Sequence, residues 1–121
     1  MAILNLTQHR ASPEQINAGV LDLQDESFLK LKSLLNFTKI PTVDELNSRA
    51  QSIAEIALMH EIKEVMIGGA PFFMGILEDA LVINGIRPAY AFSVRGSKEA
   101  VINGKTEKVS YFKHKGFVRV I

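Results

Sequence analysis

The 121-residue chain contains no cysteine. That absence excludes a disulfide framework, a thiolate nucleophile and a cysteine-ligated zinc site. It agrees with the reducing cytoplasm, which is the expected location. An excess of charge of one sign is missing too. Fourteen Lys and Arg stand against 13 Asp and Glu, for a formal net charge of +1. Wholesale capture of DNA or a membrane surface needs many unopposed cations, so neither is an expected partner. The longest apolar run, around Met66 to Met74, is interrupted by glycine and is too short to span a bilayer. The first residues, Met1 to Leu6, are apolar without a basic leader and do not read as a signal peptide. Tandem repeats and low-complexity tracts are lacking. The three histidines lie far apart, without the helical or loop spacing of metal ligands, so no metal and no cofactor are expected. No serine occupies a Gly-x-Ser-x-Gly elbow, which leaves a serine triad unsupported.

What is present is a globular composition, 47% hydrophobic, in a length that suits one domain spanning residues 1–121. Such a domain buries roughly two-thirds of the surface its unfolded chain exposes. Ala2 to Leu6 reads as a strand covered on both faces. Ser12-Pro13-Glu14-Gln15 carries helix-start chemistry, with a capping serine, proline at the first helical position and a capping-box glutamine; the helix should stop near Gly19. Phe28, Leu31, Leu34 and Leu35 share one face of a helix over Asp25 to Asn36. Thr42-Val43-Asp44-Glu45 reads as a second capping box and opens another helix, ending near His60. Glu64 to Ile67 is a strand, Gly68-Gly69-Ala70 a tight turn, and Pro71 to Asn84 a helix so apolar that it should be deeply packed. Gly85 closes that helix. Pro88 to Val94 is the next strand. Glu99 to Ile102 and Thr106 to Phe112 read as a hairpin about Asn103-Gly104. Lys113 to Gly116 reads as a further turn before a last strand, Phe117 to Ile121. The expected fold is α/β: a Rossmann-like open sheet, with a parallel core and antiparallel C-terminal hairpin strands.

In open α/β sheets, ligands bind beyond the carboxyl ends of the strands. Three polar or glycine-rich segments meet that rule: Thr7-Gln8-His9-Arg10, Gly68-Gly69-Ala70 and Ser93-Val94-Arg95-Gly96. Glycine lets a ligand approach backbone closely. A helix that follows adds free N–H groups and the positive end of its dipole, a ready anion site. The segment is neither a full dinucleotide fingerprint nor a Walker loop, and a simple tight turn is the alternative. Arg95 can clamp a phosphate with its forked guanidinium, or pair with Glu99. His9 can move a proton or donate to phosphate, or hold its own turn. Thr7 and Gln8 can donate to a ligand or satisfy turn backbone. Lys113-His114-Lys115, flanked by Phe112 and Phe117, can meet phosphate while an aromatic ring stacks on a base. Otherwise both phenylalanines are core and the lysines are solvated. Glu78-Asp79 reads as a solvated helix edge rather than an acid/base pair.

Taken together, these segments resemble a known family. The carriers are Leu6-Thr7-Gln8-His9 with Ser12-Pro13-Glu14-Gln15, then Gly68-Gly69, then Ala91 to Glu99 and Lys108 to Phe117. In order and spacing they are similar to the small CRISPR-associated proteins related to CARF domains, the single-domain ring-nuclease-like group. The resemblance implies a Rossmann-like homodimer that binds a cyclic oligoadenylate and in some members cuts it. The loops around His9, Gly68 and Arg95 would then line the pocket. The chain departs from that pattern at Ala70, where a more polar residue is expected, and at the bulky Phe72-Phe73. If cleavage occurs, the ligand's own 2′-hydroxyl attacks phosphorus in line, without metal. Arg95 and the amides of Gly68, Gly69 and Ala70 would stabilise charge, and His9 or His114 would move a proton. Ser93 and Lys113 would add ligand contacts.

Three functional readings follow: a metal-independent ring nuclease, a non-catalytic nucleotide-binding module, and an interaction protein whose polar loops merely hold turns.

Overall fold

The apolar run Ile3–Leu6 forms strand β1, with all four residues buried. The computed structural model describes residues 2–121. After β1 comes helix α1, Pro13–Asn17, whose start is the expected capping box, made in both directions between Ser12 and Gln15. A two-residue strand β2, Val20–Leu21, follows; the sequence reading lacked it, because two residues carry no periodicity. Helix α2 spans Asp25–Leu35 and helix α3 Val43–Met59. The Thr42 hydroxyl accepts from the Glu45 amide to cap α3. Strand β3 is Glu64–Ile67 and helix α4 Pro71–Ile83. Strands β4, Arg87–Ile102, and β5, Lys105–Arg119, complete the chain.

Among the described residues the elements form one five-stranded open sheet in the order β2-β1-β3-β4-β5. The first four strands run parallel and β5 is antiparallel to β4. Alternate residues point to opposite faces. Leu4, Leu6, Val65 and Ile67 join the main core with Leu31 and Leu35 of α2, Ile53 of α3, and Phe73 and Leu77 of α4. Ile3, Val20 and Met66 form a smaller cluster on the other face, covered by Ala11 and Phe117. Among the described residues no helix is long and apolar enough to cross a membrane.

The last third departs from expectation. Instead of several short strands, β4 and β5 run continuously from Arg87 and to Arg119. The expected turn at Lys113 to Gly116 is instead a β-bulge: Phe92 pairs with Gly116 and Ser93 with His114, leaving Lys115 over. Gly116 takes φ 144°, which supplies the turn-like signal without a turn. The Asn103-Gly104 turn is as expected, with φ positive at both residues. Pairing between β3 and β4 ends at Met66 and Ala89. From Tyr90 onward β4 has β5 as its one strand neighbour. The two strands therefore project as an arm of roughly 40 Å, at about 3.3 Å per residue. Helix α4 is not buried all round either, since Phe72 is 55% and Ile83 84% exposed. It packs on α3 and on β4 and leaves its remaining face to solvent. Phe112, an expected core candidate, is 70% exposed on the arm, whereas Phe117 is half-buried against Ile3, Val20 and Met66.

Candidate ligand-binding site

From β1 the chain moves outward to β2, then returns past β1 to β3. This reversal opens a crevice beyond the carboxyl ends of β1 and β3. A cavity of about 410 Å³ occupies the position. Thr7, Gln8, His9 and Arg10 line one side, Gln15 of α1 contributes, and Gly68 and Gly69 line the other. Tyr90 and Ala91 of β4 form a wall. Among the described residues no carboxylate lines it.

The first loop is fixed from below by Asn5, 2% exposed inside β1. Its Oδ1 accepts from the Thr7 amide at 2.9 Å and the Thr7 hydroxyl at 2.7 Å. Its Nδ2 donates to the His9 carbonyl at 2.7 Å and to Asp22 Oδ1 at 2.8 Å. Asp22 in turn accepts from the Ala11 amide at 3.0 Å. One buried amide thus satisfies both ends of the loop, as a buried polar group must be satisfied. Arg10 donates to the Leu23 carbonyl at 2.6 Å and to Asp25 at 3.0 Å, and stacks 3.9 Å over Phe28. None of the described hydrogen bonds uses the His9 ring, which lies exposed at the mouth. Asn5 and Asp22 escaped the sequence reading. The available signal was a polar residue interrupting the apolar run Ile3-Leu4-Asn5-Leu6.

On the opposite side Gly69 takes φ 156°, and a Cβ there would lie 3.3 Å from Met74 Cε. A side chain would meet strain and crowding together. At Gly68 a Cβ would stand 3.6 Å from Thr7 Cγ2, an ordinary contact. Ala70 caps α4 without a side-chain bond and packs on the main core rather than lining the crevice. Tyr90 donates its hydroxyl to Glu78 Oε2 on α4. Burial, then that bond and the carboxylate's charge, push the phenol well above its usual range. Glu78 is thus half-buried and engaged, not the solvated edge expected, while Asp79 is exposed.

A family model covers residues 1–118. The chain belongs to the uncharacterized protein MJ1673 family. The match runs from β1 to Val118 of β5, so this MJ1673-family protein carries crevice and arm alike within the family region. The family description names no ligand and no reaction. No curated protein and no solved structure matches the chain.

Of the residues expected to form a site, the MJ1673-family fold brings together Thr7, Gln8, His9, Gly68 and Gly69. It does not bring Ser93, Arg95, Lys113 or His114 to them. These four stand on the arm because β4 continues past the crevice instead of turning into a loop. Arg95 pairs across the strands with Phe112, its guanidinium 5.8 Å from the ring centre, and not with Glu99. His114 sits opposite Ser93, edge-on to Phe117 at 5.1 Å. Both its ring nitrogens are buried without a partner among the described residues. Lys113 lies opposite Val94. Among the described residues no three metal-ligating side chains converge.

Proposed function

We propose that this protein binds a nucleotide-type phosphate ligand in the crevice between β1 and β3, as a sensing or sequestering module without turnover. The observation that carries this reading is the switch-point crevice itself. Its walls combine glycine backbone, His9 and Gln8 with no opposing carboxylate. Its volume, about 410 Å³, falls within the usual span of small-molecule sites, roughly 300–1,000 Å³. A cyclic oligoadenylate is the specific ligand that the likeness to CARF-related proteins suggests. The lack of cysteine supports a reducing cytoplasm as the setting.

Binding is favoured over cleavage by placement. In-line attack by a 2′-hydroxyl needs charge stabilisation and proton movement at one phosphate. His9 stands at the crevice, but Arg95 and His114 stand on the arm beyond it.

The test is a thermal-shift panel of inorganic phosphate, AMP, ATP, and cyclic tetra- and hexa-adenylate. A ligand at a hundred times its Kd adds about 2.7 kcal/mol, which raises Tm by several degrees. His9→Ala should diminish the shift and Arg95→Ala should leave it. A shift lost in Arg95→Ala and kept in His9→Ala would move the site onto the arm. Absence of any shift at millimolar ligand would remove the reading. With EDTA present, a cyclic tetra-adenylate should stay intact; a linear product ending in a 2′,3′-cyclic phosphate would make the protein a nuclease.

A further inference from the structure

The arm leaves two strand edges free. One is the outer edge of β5; the other is the edge of β4 beyond Ala89, where pairing with β3 stops. Unpaired edges template strand addition, and proteins guard them with lysines and bulges. The β5 edge is guarded in both ways. It carries Lys105, Lys108, Lys113 and Lys115, with the bulge at Lys115. The β4 edge has no bulge of its own, and its sequence Phe92-Ser93-Val94-Arg95-Gly96-Ser97-Lys98-Glu99-Ala100-Val101-Ile102 is self-complementary about Ser97.

We infer that β4 of one copy pairs antiparallel with β4 of a second copy about a twofold axis at Ser97, making a continuous four-stranded sheet from two arms. In that register Arg95 stands opposite the partner's Glu99, and Glu99 opposite the partner's Arg95. Val94 faces the partner's Ala100, and Phe92 the partner's Ile102. Opposite charges and apolar pairs directly across strands are the favourable combinations. On each arm Glu99 already stands opposite Lys108. The charges then alternate across three strands, from Lys108 through Glu99 to the partner's Arg95. A twofold contact of this kind uses one patch twice and closes on itself. An antiparallel β5 pairing about Ser110 would instead set Lys105 against the partner's Lys115, like charge on like.

The same register has a geometric consequence. It brings the partner's Asn103-Gly104 turn up against the end of β3 at Ile67, alongside Tyr90 and Ala91. Those two residues form the crevice wall. Each arm tip would therefore close the side of the other copy's crevice. The pairing itself stands whether or not the crevice takes a nucleotide.

Sedimentation equilibrium and cysteine cross-linking test it on the full chain. The wild-type protein should be a dimer at micromolar concentration. Arg95→Glu or Glu99→Arg alone should weaken it tenfold or more, since each puts like charges opposite twice. The double exchange Arg95→Glu with Glu99→Arg should restore it. With no native cysteine, Ser97→Cys should yield a disulfide-linked dimer on mild oxidation, while Ser110→Cys, opposite Ser97 on the same arm but one strand further out, should not. Circular dichroism of each variant checks that the fold persists. A monomeric wild type, single charge variants that dimerise as well as wild type, or cross-linking through Ser110→Cys in preference to Ser97→Cys would each overturn the inference.

Discussion

The helix-backed parallel strands and the two-stranded arm belong to one sheet, yet they use apolar residues in opposite ways. In β1 and β3, Leu4, Leu6, Val65 and Ile67 vanish under three helices. On the arm, Val101 and Phe112 remain about three-quarters exposed, at 74% and 70%. Alternation and β-branching make a strand in either place; a covering layer makes a core. A two-stranded ribbon alone in water is marginal, so the arm borrows its order from its root. There Tyr90 clamps β4 to Glu78 of α4, and Arg119 grips Glu64 of β3 at 2.7 Å.

The sharpest way to break this contrast is a matched pair of truncations. Phe73→Ala, at a fully buried ring, should cost about 3–5 kcal/mol in urea denaturation. Phe112→Ala should change global stability by no more than about 0.5 kcal/mol. Equal losses would mean that the arm is part of the cooperative core.

Next in size is Asn5→Leu. It strands the Thr7 amide, leaves the His9 carbonyl with the Thr7 hydroxyl alone at 3.1 Å and leaves Asp22 one bond short, at roughly 3 kcal/mol for the groups that lose partners. Hydrogen exchange should quicken at Thr7 and Ala11 while the amides of α3 keep their protection relative to the global value.

Tyr90 gives an alkaline signature. The folded state holds the phenol proton more tightly than the unfolded chain, whose value is 10.0. Between that value and the raised one, the native state binds more protons, so stability falls as pH rises. The contribution is complete below pH 10. Tyr90→Phe should lessen the loss of stability above pH 10, measured by chemical denaturation; an unchanged alkaline limb would deny the Tyr90–Glu78 clamp its role.

The smallest effect belongs to Gly96. The Tyr111 ring lies over it, and a Cβ there would stand 2.5 Å from the ring. Gly96→Ala should swing the ring aside for about 1 kcal/mol or less. The upfield ring-current shift of the Gly96 Hα protons should disappear in Tyr111→Leu, with the core spectrum unchanged.

Much of this was legible in the chain. The capping box at Ser12 and the Asn103-Gly104 turn depend on neighbours within four residues and formed as read, whereas at Thr42 half of the expected box formed, the hydroxyl accepting from the Glu45 amide. The α/β class followed from alternation of strand and helix periods. Elements defined by distant partners were harder. Val20–Leu21 is a strand because β1 lies beside it. Lys113 to Gly116 looked like a turn because glycine and charged residues punctuate it, but cross-strand pairing absorbed the irregularity as a bulge. Half of the candidate site was visible for the same reason. His9 and Gly68 follow directly from strand ends, and the topology brings them together. Arg95 stands on the arm and not at a strand end because β4 runs eight residues beyond Val94, to Ile102. Asn5 was overlooked because its partners, His9 and Asp22, are determined by how the loop closes.

That closed loop also bears on how quickly a ligand could settle. Because Asn5 and Asp22 already hold the first wall in shape, an incoming molecule would meet a surface with little left to arrange. Association should then follow a single step whose rate climbs in proportion to concentration, without the plateau that a slow rearrangement imposes.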